Sequence, residues 1–180
     1  MDTPLFYTFL FVHLISLIIG FGAVIVIDTM GLLWLLKKAE LKFLVKVADI
    51  TQALVWTGWT GLVFSGLVLI TSKGYIDNLT WIKIFFVLML GVNGLFLHLI
   101  KGSIAVAVRT GVVTPILKFR IGLTTAISQL GWWGAITIGF LHRHWQHKID
   151  WPESIYPYII AIILIFSVTA IVGEYKFNKQ

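Results

Sequence analysis

Five histidines carry most of the chemistry open to this 180-residue chain. His13, His98 and His142 lie inside or at the ends of long apolar stretches, and His142, His144 and His147 crowd into one polar segment. Imidazole binds Zn²⁺, Cu²⁺, Ni²⁺ and haem iron. The spacing of His142, His144 and His147 therefore makes a candidate metal site. Arg143 and Lys148 beside it disfavour a cation. The competing reading is an interfacial loop, with Trp145 and Trp151 anchored at headgroup level.

A second set is the ionisable and amide side chains within apolar segments: Asp28, Asp49, Lys83, Gln52, Asn93 and Gln129. Such groups are costly in hydrocarbon, so each is a candidate for function. Asp28, Asp49 and Gln52 are expected near one membrane boundary, where His98 extends the cluster. There the carboxylates either meet water and pair with Lys46 or Lys101, or begin a proton or cation path. The opposite half of the membrane is mostly apolar, which disfavours a continuous path.

His13, His98 and His142 are the candidate haem ligands. Haem b needs an apolar slot and one or two imidazoles, and helical bundles supply both. His13 falls about 13 Å below the outer boundary, and His98 lies roughly 12 Å deeper if both helices stand upright. A His13–His98 pair is therefore awkward. His142 turning inward toward His13 is the better pair if the fourth span ends deeper than residue 141. The alternative for each histidine is a hydrogen bond to a neighbouring helix.

These residues are positioned by segments that read as membrane spans. The chain is 58% hydrophobic and 12% charged, against roughly 25% charged in a typical soluble domain. About 20 apolar residues cross the hydrocarbon core. Spans are expected at about 5–36, 44–70, 81–100, 121–141 and 156–172. The fold class is all-α, a single integral membrane domain of about five helices. Thr80 is the expected cap of the third span, and Pro115 breaks the basic stretch before the fourth. The fifth span is short enough to leave a rival in which it lies flat on the membrane.

With five spans, one side holds Lys37, Lys38, Lys42, Lys46, Lys101, Arg109, Lys118, Arg120, Lys176 and Lys179; the other holds Lys73, Lys83, Arg143 and Lys148. This bias places the N-terminus outside and the C-terminus in the cytoplasm. The first segment lacks a basic n-region and reads as a retained helix, not a signal peptide. A net charge of +6 thus serves topology, and nothing suggests nucleic-acid binding. The chain has no cysteine, which excludes disulfides, thiolate catalysis and Fe–S clusters.

Gly58-Trp59-Thr60-Gly61 with Gly66 matches Gly131-Trp132-Trp133-Gly134 with Gly139 at a constant offset. Two helix-hairpin repeats plus a fifth helix would explain this; shared use of small residues in packing faces would also.

His13, together with Trp81-Ile82-Lys83 and His98, resembles the HemJ-type protoporphyrinogen oxidase family, across about two of the five spans. That family has an early histidine in its first span and a Trp-and-Lys start to a span that ends near another histidine. The resemblance implies a bacterial inner-membrane protein with haem b bound through His13 or a neighbour. The family's C-terminal Arg and Asn-Glu-x-Pro pattern is missing here. Phrases such as Val92-Asn93-Gly94-Leu95-Phe96-Leu97-His98 also resemble uncharacterised bacterial membrane families. Three function classes remain: a haem or redox protein, an accessory subunit with a membrane-protein partner or a second copy, and a small ion or solute transporter. No phosphate-binding glycine loop, nucleophile elbow or HExxH motif is present.

Overall fold

The computed structural model describes residues 4–145 and 152–177. Among them are five α-helices and no strand: α1 Pro4–Leu35, α2 Leu41–Lys73, α3 Asn78–Thr110, α4 Pro115–Trp145 and α5 Tyr156–Phe177. The all-α class holds. α1, α2, α3 and α5 are each long and apolar enough to cross a membrane. The surface is correspondingly apolar, with Phe11, Ile18, Leu99, Ile165 and Ile171 all more than 60% exposed.

The helices overrun the expected spans because their ends are set by turn chemistry, not by the hydrocarbon boundary. Gly74 and Gly111 adopt left-handed backbone (φ 77° and 70°) and close α2 and α3. α3 thus continues through the basic stretch to Thr110. Asp77, not Thr80, caps α3: its Oδ1 accepts the Thr80 N–H at 2.8 Å. Pro115 starts α4 instead of interrupting a helix. Proline at a first helical position gives up an N–H that would have no helical partner. Thr114 Oγ1 accepts the Leu117 N–H at 3.3 Å.

The chain forms two compact units, residues 1–76 and 77–180. The first is the α1–α2 hairpin. Its register is antiparallel: His13 meets Ser65, while Ser16 lies at Gly61 and Gly20 at Gly58. A Cβ on Gly58 would fall 2.5 Å from the Gly20 Cα, so the two backbones touch.

The second unit holds α3, α4 and α5. α3 and α4 are antiparallel, with Lys83 at His142, Phe86 at Gly134, Leu90 at Gly131 and Asn93 at Thr124. α5 runs back along α4. Phe119 packs on Gly173, and Arg120 holds Glu174 in a bidentate pair at 2.6 and 2.7 Å. α4 is less apolar than its neighbours. It is antiparallel to both α3 and α5, and it is not among the helices long and apolar enough to cross a membrane. Thr124 and Trp132 on α4 are each 1% exposed.

Candidate functional site

Two polar constellations stand out, one in each unit. In the first, α1 carries His13 and α2 carries Ser65 one turn beyond Gly61. His13 Nδ1 lies 2.9 Å from Ser65 Oγ, and Ser65 Oγ lies 2.5 Å from the Gly61 carbonyl oxygen. A carbonyl only accepts, so the serine hydroxyl donates there. Ser65 Oγ then accepts the Nδ1–H of His13. Ser65 is fully buried, which fixes the ring from one side. Gly66 lies under the imidazole: a Cβ there would stand 3.7 Å from His13 Cε1.

Asp28, Asp49 and Gln52 belong to this unit as well. The hairpin register sets Asp28 about level with Asp49 and Gln52, so all three share the end next to the α1–α2 turn. Asp49 is exposed, while Asp28 and Gln52 are half-buried.

In the second unit, His142 of α4 stands between Asp77 and Lys83. Its Nε2 lies 3.0 Å from Asp77 Oδ2, and its Nδ1 lies 3.1 Å from Lys83 Nζ. A lysine ammonium only donates, so Nδ1 accepts and the Nε2–H donates to the carboxylate. The His142 and Asp77 side chains are 15% and 21% exposed. Charge is balanced across the ring, and the three groups form one hydrogen-bonded chain. Both ring nitrogens of His142 have protein partners here, which does not favour it as a metal ligand.

His98 is exposed on α3. It lies fifteen residues beyond Lys83, about 22 Å along the helix, so the unit does not bring His98 and His142 together. His144 is exposed, with its ring 4.7 Å from that of Phe140. His147 lies outside the described residues. Among the described residues, no three histidine or acidic side chains converge as a metal set. Gln129 accepts the Trp133 Nε1–H on its own helix at 2.9 Å. Asn93, 5% exposed, donates its Nδ2–H to the Thr124 carbonyl at 2.9 Å. Its Oδ1 is buried with no hydrogen-bond partner among the described residues.

Sequence reasoning missed Ser65 and the role of Asp77. Asp77 carried a local signal, an acid three residues before Thr80 at a turn. Ser65 carried none. Comparison with protein-family models, with curated proteins and with solved structures finds no match to this chain.

Proposed function

We propose that this multi-pass membrane protein holds haem b in a redox or haem-related role, with His13 as the iron ligand. The observation that supports this reading is the His13–Ser65–Gly61 chain. Histidine ligands of metals typically donate their other ring N–H to a fixed acceptor, which sets the tautomer and the ring orientation. Ser65 lies in that position for His13 Nδ1, and Nε2 would be the atom offered to iron by an imidazole set in an apolar helix. That donor chemistry fits haem b. Bound there, the haem would supply one-electron chemistry, and Ser65 would tune the basicity of the ligand. Under the same reading the N-terminus faces outward and the C-terminus the cytoplasm, by the distribution of Lys and Arg.

The test is an absorbance spectrum of the protein in mild detergent, as isolated and after dithionite. A Soret band that shifts on reduction and disappears in His13→Ala, while surviving in His98→Ala, is the expected result. A flat visible spectrum from cells supplied with haem would sink the proposal.

A second reading, transport of a proton or small ion, is favoured by the Asp77–His142–Lys83 chain, with Asn93 buried further along the same pair of helices. It predicts flux into proteoliposomes that falls in His142→Ala and is indifferent to His13→Ala.

A further inference from the structure

We propose that the α1–α2 turn is a docking surface for anionic phospholipid headgroups. Lys37, Lys38, Lys42 and Lys46 are all exposed. No ion pair joins any of them to a carboxylate among the described residues. Glu40 is the one acid within the turn, and Asp49 lies about one helical turn further along α2. Four cations against one acid leave the turn with a net charge of +3.

The turn is built to present these charges. Lys38 N–H donates to the Leu33 carbonyl at 2.8 Å and Lys37 N–H to the Trp34 carbonyl at 2.9 Å. This is the paired closure that normally ends on glycine. Lys37 occupies the glycine position with φ 57°, the one described non-glycine residue with positive φ. A lysine stands where backbone geometry favours glycine. Lys42 and Lys46 are four residues apart at the start of α2, on one face.

Depth supplies the second argument. Leu32, Leu36 and Phe43 flank the lysines and are 54–56% exposed. Both helices that meet at the turn are long and apolar enough to cross a membrane. Apolar side chains in the acyl region and lysines reaching outward at their edge is the arrangement that meets lipid phosphate. Each such lysine contributes a factor of about five in affinity, from about 1 kcal/mol per residue near an anionic surface.

Native mass spectrometry of the full chain, released from bilayers of mixed phosphatidylglycerol and phosphatidylcholine, tests this. Wild type should retain phosphatidylglycerol selectively, and less so as salt rises. Replacing all four lysines with glutamine should reduce that selectivity at least about tenfold, and replacing them with arginine should preserve it. Equal selectivity in the glutamine variant, or none in wild type, overturns the proposal; the lysines then serve topology alone. Because the chain has no native cysteine, a single Tyr75→Cys label reports whether the glutamine variant inserts correctly. If it does not, the Lys37→Gln/Lys38→Gln pair decides: a loss of several-fold supports the surface, and unchanged retention overturns it.

Discussion

The two hairpins carry the same glycine motif and use it differently. In α1–α2, Gly58 meets the Gly20 backbone and Gly61 meets Ser16, so the motif lets two main chains touch. In α3–α4, Gly131 and Gly134 receive the side chains of Leu90 and Phe86. There the motif forms sockets for large residues, and the backbones stay further apart. The partner helix, not the motif, decides which use is made. Polar contacts follow the same division. The close pair is joined by His13 and Ser65, with no carboxylate or lysine in the contact. The wider pair is joined at one end by Asp77, His142 and Lys83, and α5 is clamped to α4 by Arg120 and Glu174.

The largest expected effect tests this contrast directly. Gly58→Ala puts a methyl against backbone that cannot rotate away, and should cost about 3 kcal/mol. Gly131→Ala meets the end of Leu90, which can shift, and should cost about 1 kcal/mol. Unfolding in SDS–detergent mixtures, followed by circular dichroism, measures both. Equal costs would mean that the two glycine faces are equivalent.

Next in size is His142→Ala, expected to cost about 2 kcal/mol because it removes hydrogen bonds to two charged groups. Asp77→Asn keeps an acceptor for the Thr80 cap and should cost less. A double-mutant cycle between Asp77 and His142 isolates their coupling. A coupling near zero would show that the contact carries no energy.

Breaking the Arg120–Glu174 clamp with Glu174→Gln should cost about 1 kcal/mol. The geometry is bidentate, but the side chains are 32% and 38% exposed, and solvent screens the pair. α5 is the helix affected, so protease sensitivity near residues 152–156 should rise while α1–α2 is unchanged. Equal sensitization of the α1–α2 turn would argue that the units do not unfold separately.

The architecture was largely written in local chemistry. Apolar runs of spanning length gave the helices, and the basic stretch at Lys37–Lys38 separated the first two. Gly58, Gly61 and Gly66 of one motif and Gly131 and Gly134 of the other lie at hairpin contacts, while nothing stands within 4 Å of a Cβ at Gly139. The third span is expected at 81–100 with Thr80 as its cap, whereas α3 runs Asn78–Thr110, because hydropathy measures lipid exposure while caps and left-handed glycines stop helices. The sites were less legible. His13 and His142 could be singled out because a titratable group in an apolar segment is unusual. Their partners could not, since pairing depends on helix register. Ser65 looks like Ser16, Thr51 and Ser72, each of which donates to a carbonyl four residues back. Only the packing of α1 on α2 sets Ser65 apart.

Ser65→Ala is accordingly the smallest expected effect and the most specific. Hydrogen bonds between membrane helices average about 0.6 kcal/mol, and the substitution leaves α2 and its glycine contacts in place. Stability should therefore fall by about that amount. The sharper readout is the imidazole itself. In wild type the His13 ring carries its proton on Nδ1, because Ser65 has already given its own hydrogen to Gly61. ¹⁵N spectra of histidine-labelled protein should show that single tautomer, and Ser65→Ala should give a mixture of the two neutral forms. A wild-type ring already mixed, or one protonated at Nε2, would break the comparison at its centre. The neutral pair in α1–α2 would then be a coincidence of packing, and the oriented histidine of the molecule would be His142, held from both sides by charge.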